Sequence, residues 1–420
     1  VKSNQPTFEV DKGSEDIDAV FFDSDNDGDL DLYVVSGGYE FEKSDPALQD
    51  RLYFNNGKGQ FTKTALPEMR ISGSCVRPSD IDGDGDLDLF VGGRIVPGRY
   101  PEAPESVVLI NDGRGGFTIG SIPDELRNAG MVTDAAWVDL NGDQFEDLVV
   151  IGEWMDIEIF VNGKGSLKKV TSDFIAEPSS GWWNCIVAAD FDNDGDKDFV
   201  VGNVGLNNQI KATAERPATM WYADFDDNGS VDPILNYYIM DRSYPYPTRD
   251  ELVGQLPGFR KRFKDYDSYS RASLDELLTP PEKELASQLT MVQMQSCYVR
   301  NDGNQFVIEP LPIEAQIAPV FAVAVLDVNG DGNLDFVAGG NLTATRSRTG
   351  KMTGNTGFVF LGDGKGGFEF VKPAETGLQL ANDVRKIVAD GERVVVGINN
   401  GPVKMAKVNV RTRSVADLGN

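Results

Sequence analysis

The chain of 420 residues contains no histidine. That absence removes histidine-based triads, imidazole metal ligands and histidine acid/base chemistry together. Cysteine is nearly absent too. Cys75, Cys185 and Cys297 are too few for a disulfide framework, and the first two each stand five residues before an aspartate-rich loop, as small apolar residues of an incoming strand would. No apolar run approaches the ~20 residues that cross a bilayer, and helical heptads are missing. No proline- or serine-rich linker divides the chain, so one domain over 1–420 is expected, without membrane insertion. Positive charge is scarce: 39 Lys and Arg face 67 Asp and Glu, a net charge of −28. This argues against nucleic acid or an anionic membrane surface as partner.

What is present is a nonapeptide that occurs six times. Asp23, Asp25, Asp27, Asp29 and Asp31 make the first copy, and Asp80, Asp82, Asp84, Asp86 and Asp88 the second. Asp139, Asn141, Asp143 and Asp147 make the third, and Asp190, Asp192, Asp194, Asp196 and Asp198 the fourth. The fifth holds Asp224, Asp226, Asn228 and Asp232, and the sixth Asp327, Asn329, Asp331 and Asp335. Oxygen side chains fill positions 1, 3, 5 and 9; position 6 is glycine except for Gln144. Carboxylates this close repel unless a cation sits among them, and alternate oxygens on a tight turn suit calcium rather than zinc. About six Ca2+ are expected, which would bring the net charge to −28 + 12 = −16.

An EF-hand is excluded, because its position 12 must be a bidentate Glu. Here that position is Val34, Val91, Val150, Val201, Leu235 and Ala338. Short β-branched runs flank the loops, such as Ala19–Phe22 before and Leu32–Val35 after, which reads as strand, loop, strand. A second turn recurs with Asn-Gly or Asp-Gly, at 55–61, 111–117 and 301–306, where hairpins need positive φ. Four antiparallel strands per repeat imply a β-propeller. The expected fold is all-β and seven-bladed, with calcium loops in six blades. Residues 1–16 hold a strand (Thr7–Val10) that closes the last blade, and 240–292 form a small helical insertion.

With these loops, hairpins such as Leu52-Tyr53-Phe54-Asn55-Asn56-Gly57 make the chain resemble the FG-GAP/VCBS repeats of integrin alpha subunits and bacterial surface proteins. The resemblance implies a calcium-bearing propeller, an extracellular or cell-surface location and a role in adhesion or ligand capture. The literal Phe-Gly and Gly-Ala-Pro words are absent. Gly37-Gly38, Gly92-Gly93 and Gly339-Gly340 stand where the latter would be. No signal-peptide pattern stands before the first strand candidate, so a mature secreted form or a trimmed chain is expected; the resemblance implies part of a larger surface protein.

Two function classes follow. The first is a binding module that captures a glycan or protein on the loops opposite the calcium loops, where Trp182, Trp183, Arg94 and Tyr100 are the candidate contacts. The bland alternative packs the tryptophans between blades. The second class is a carbohydrate-active enzyme, a lyase or glycosidase working without histidine. No leftover acid pair stands at a telling spacing, so no enzyme is expected.

Overall fold

The computed structural model describes residues 5–303 and 305–408. It divides into two compact units, one built from 5–171, 178–181 and 210–293, the other from 172–177, 182–209 and 294–408.

The first unit begins with three antiparallel meanders. The first sheet is β1 (Glu15–Phe22), β2 (Asp31–Gly37), β3 (Arg51–Asn55) and β4 (Phe61–Thr64); the second is β5 (Gly73–Ser79), β6 (Asp88–Gly93), β7 (Val107–Asn111) and β8 (Phe117–Ile119). The third is β9 (Met131–Val138), β10 (Asp147–Met155), β11 (Glu158–Asn162) and β12 (Leu167–Lys169), followed by the two-residue β13 (Gly181–Trp182). In each, an aspartate loop joins strands one and two and a glycine turn joins strands three and four.

Every residue of β6 is buried. Leu89 and Val91 pack with Phe22, Tyr33 and Leu52 of the first sheet, while Phe90 between them packs with Val132, Leu148 and Phe160 of the third. A strand covered on both faces needs apolar residues at consecutive positions, which is why these runs do not alternate. Where the sheets converge there is no room for a side chain: a Cβ on Gly92 would lie 2.6 Å from Val132 Cγ1. The Gly-Gly words are therefore packing residues.

The second unit repeats the plan. Its first sheet takes β14 (Cys185–Ala189) and β15 (Asp198–Gly202), and the chain then leaves. The excursion, 203–296, holds β16 (Ala218–Ala223), β17 (Asp232–Ile239), β18 (Arg242–Pro245) and β19 (Ser287–Met291) in the order β18-β17-β16-β19, with five helices between Arg249 and Leu285. This inserted sheet belongs to the first unit. The chain returns as β20 (Cys297–Asn301) and β21 (Phe306–Pro310) to complete the sheet it left. Then come β22 (Val320–Leu326), β23 (Asp335–Gly340), β24 (Phe358–Gly362) and β25 (Phe368–Val371), and a three-stranded sheet β26 (Val384–Asp390), β27 (Arg393–Ile398) and β28 (Lys404–Lys407).

Two expectations differ from the observed fold. Thr7–Val10 lies in a helical turn, Pro6–Val10, not a strand. Pro6 opens it, and Phe8 packs on Tyr53 and Phe61 of the first sheet at ring separations of 5.0 and 5.6 Å. The insertion is also wider than 240–292: it begins after Gly202 and takes the fifth aspartate loop with it. The short spacing between the fourth and fifth loops arises because a sheet is interrupted, not shortened. Among the described residues no helix is long and apolar enough to cross a membrane.

Candidate functional site

The six aspartate loops share one internal hydrogen-bond scheme. The position-5 carboxylate or amide oxygen accepts the position-7 amide in every copy, as in Asp29 N to Asp27 at 2.9 Å and Ser230 N to Asn228 at 2.7 Å. Positions 4 and 6 have positive φ in all six. Gln144 meets this requirement at φ 75°, where its neighbours in other copies are glycine.

Position 9 has a second duty that the spacing did not reveal. Asp88 accepts the Ile81 amide at 3.1 Å on one oxygen and the Asn111 amide at 2.8 Å on the other. Asp31, Asp147, Asp198 and Asp335 make the same pair of bonds, to the loop's second residue and to the last residue of the third strand. This buried carboxylate rivets the aspartate loop to the adjacent glycine turn. Burial pushes Asp88 up to about 6 despite those amides. The strand-ending asparagine adds a link to the preceding sheet: Asn111 Nδ2 donates to Ser24 O and Asn162 Nδ2 to Ile81 O, both at 2.9 Å. Position 7 also turns to its surroundings, with Asp86 accepting from Asn26 at 2.5 Å.

Positions 1, 3 and 5 or 9 converge. Ligand atoms of Asp23, Asp25 and Asp27 lie within 4.8 Å of one another, as do those of Asp80, Asp82 and Asp88, of Asp190, Asp192 and Asp194, and of Asp224, Asp226 and Asp232. Asp25, Asp82 and Asp192 are held above the ordinary carboxylate range, by burial first and neighbouring carboxylates second. In three loops one oxygen, Asp25 Oδ1, Asp82 Oδ1 and Asp190 Oδ1, is sealed from solvent with no hydrogen-bond partner. A buried carboxylate oxygen without a donor is costly. An all-oxygen cluster of this kind fits a hard divalent cation, and calcium before magnesium, because the turn supplies many protein oxygens.

Of the four candidate ligand residues, one is buried and three are half-buried. Trp183 is fully buried and Trp182 half-buried. Arg94 and Tyr100 come together on Glu153, a residue the sequence reading did not single out. Arg94 Nη2 pairs with Glu153 Oε2, Tyr100 donates to Oε1 at 2.9 Å, and Trp154 Nε1 donates to the Tyr100 hydroxyl at 2.9 Å. Burial and the Glu153 charge push the Tyr100 phenol well above its ordinary value. A tyrosine acting as base needs the opposite shift. The available signal was a departure from the repeat: Gly152-Glu153-Trp154 stands where the first, second and sixth copies carry Gly-Gly.

In the fifth copy Arg99 Nη1, from the loop after β6, donates to Gly229 O at 3.2 Å.

A model of the FG-GAP-like repeat matches residues 23–91 and 139–201. Each match spans two successive aspartate loops. No curated protein sequence matches the chain at significance. Among solved structures, the Dos1 propeller matches over 95% of this chain and 81% of its own at 12% identity, with a TM-score of 0.39. The V. cholerae biofilm matrix protein Bap1 matches over 92% and 85% at 10% identity and a TM-score of 0.29. The exotype rhamnogalacturonan lyase YesX matches over 94% and 72% at 12% identity and a TM-score of 0.35. Superpositions this loose decide nothing about activity.

Proposed function

We propose, from the premise that the chain carries FG-GAP-like repeats, that it is a calcium-stabilised extracellular binding module of β-propeller type that captures a glycan or protein. The observation carrying this reading is the trio of buried, unpartnered carboxylate oxygens in the loops at 23, 80 and 190. Each needs a positive partner that the chain itself does not supply, and outside a cell calcium at ~1 mM would fill even a weak site. Asp23, Asp25 and Asp27, with their counterparts in the other loops, would hold the ions; the ion supplies charge neutralisation and no chemistry. A module of this kind uses its sheets as a frame and its connecting loops for recognition. The enzyme reading has less support, because the Tyr100 hydroxyl donates to Glu153 and burial with that charge holds the phenol protonated.

Melting the protein in excess chelator and again after calcium is restored tests the reading. Each site filled at ten times its Kd adds about 1.4 kcal/mol by mass action, so several sites should move the Tm by many degrees. Magnesium should restore less. Identical melting curves with and without chelator would defeat the calcium reading.

A further inference from the structure

The inserted element contains a cavity of about 530 Å3, between the β17–β18 hairpin and the helical segment after Ser273. We infer that this cavity is a saccharide site for a neutral sugar, which would make the insertion the recognition element of the binding module. The inference rests on the module reading above and names its ligand class.

The hairpin contributes Tyr238, Asp241, Arg242 and Ser243, and the helical side Asp275 and Glu276. Tyr238 and Ser243 are register partners, so both point from one face of the sheet. That face is the one the helices cover, because Ile234 on it packs with Leu252, Leu256 and Phe259. Asn236, two residues before Tyr238 on the same face, is wholly buried with Oδ1 lacking a partner; its register partner Thr219 has an unpartnered, sealed hydroxyl. The sheet face that carries Tyr238 thus also holds two sealed polar atoms without hydrogen-bond partners.

Charge decides the ligand class. The lining holds three carboxylates, which alone would suggest a cation. Each already has its own base: Asp241 pairs with Arg216 at 2.6 Å, Glu276 with Arg242 at 2.8 Å and Asp275 with Lys283 at 2.6 Å. A metal ion would find no surplus negative charge, and an acidic ligand no surplus positive charge. What the pairs leave is a set of acceptor lone pairs and N–H donors at short spacing around one aromatic ring. Vicinal hydroxyls on an apolar ring face match that array, and a neutral saccharide carries both. Asp241 and Asp275 are 87% exposed at their side chains, so a ligand can reach them.

The test uses the full chain with calcium present and a surface bearing neutral gluco-, manno-, galacto- and xylo-oligosaccharides beside uronic-acid oligomers. The wild type should bind at least one neutral series. Tyr238→Ala and, separately, Asp275→Ala should weaken it by at least about tenfold, whereas Trp182→Ala should not. Asp275 is exposed, so its variant keeps the test valid if Tyr238→Ala fails to fold. Calcium-dependent melting should be unchanged in Asp275→Ala. Neutral-sugar binding that survives both substitutions would overturn this site and leave the module reading intact. Capture of uronic-acid oligomers alone, or of no saccharide, would overturn the ligand class, and the chelator melt would still report on the calcium frame.

Discussion

The second and fifth aspartate loops carry one pattern in two settings. In the second, Asp88 holds two backbone amides, and the Ile81 carbonyl receives Asn162 from the next sheet. In the fifth, Asp232 holds the Phe225 amide at 3.1 Å, and Gln255 of the helical segment lies against it. Register explains the difference. Strand β3 runs far enough to set Asn55 beside Asp31, as β7 sets Asn111 beside Asp88, but β18 pairs only with residues 236–239, the far end of β17. No third-strand amide stands opposite Asp232. The same sequence is thus tied to a third-strand amide in the serial sheets and to the Gln255 side chain of the helical segment in the insertion.

The largest expected effect would break that comparison directly. Asp88→Ala strands two buried amides and should cost roughly 2–5 kcal/mol, with most of the loss persisting in chelator. Asp232→Ala, at an equally buried position, strands one backbone amide rather than two, so roughly 1–2 kcal/mol is expected, and calcium removal should abolish most of its effect. Denaturant unfolding of both variants, with and without calcium, measures this. Equal penalties, or an Asp88 penalty that vanishes in chelator, would reduce position 9 to a plain ligand.

A smaller effect sharpens the ranking of the loops. Those at 23, 80 and 190 combine a converged cluster with a sealed, unpartnered oxygen; the loop at 224 has the cluster alone. The copies at 139, 224 and 327 each replace one carboxylate with an amide, at Asn141, Asn228 and Asn329. Calorimetric calcium titration should show three sites at least about tenfold tighter than the rest. Asp82→Ala should remove one of the three and Asp226→Ala none. Six equal sites would contradict the ranking.

Much of the plan was legible in the residues because each repeat solves the same local problem. Glycine marks positive φ and close approach, and alternate aspartates mark an oxygen cage. The strands of the serial sheets fall where their β-branched runs stand. The inserted sheet was harder to read. Asp224–Asp232 looks like any other copy, and nothing local says that its second strand will pair with a short hairpin while the interrupted sheet is completed about ninety residues later by Cys297–Asn301. Pairing partners chosen at long range leave no mark on a nonapeptide. The Thr7–Val10 run failed for a related reason: its β-like residues were outweighed by Pro6 at the start of a turn and by Phe8 docking on Tyr53. Glu153 was hidden because a buried acid is recognised by its partners, and Arg94 and Tyr100 lie more than fifty residues away.

The smallest effect concerns how the two regions satisfy buried polar groups. In the inserted sheet Asn236 keeps an unpaired oxygen, whereas in the first sheet Asp50 is as deeply buried and has both oxygens engaged, by the Tyr33 hydroxyl and the Ser36 amide at 2.8 Å each. Burial nevertheless raises Asp50 from 3.8 to about 7, with those hydrogen bonds and Arg51 pulling the other way. A carboxyl whose folded value exceeds its unfolded one binds its proton more tightly when folded, so it favours the fold at low pH. That contribution falls as pH climbs from the unfolded value and is gone above about 7. Asp50→Asn keeps an acceptor and has nothing to titrate. Between pH 6 and 8 the wild type should lose about 1 kcal/mol more than the variant. Comparing the two chains cancels the titration of the aspartate loops, which both share. Parallel pH profiles for wild type and Asp50→Asn would mean that Asp50 is already ionised in the folded sheet, held there by Arg51 and its two donors.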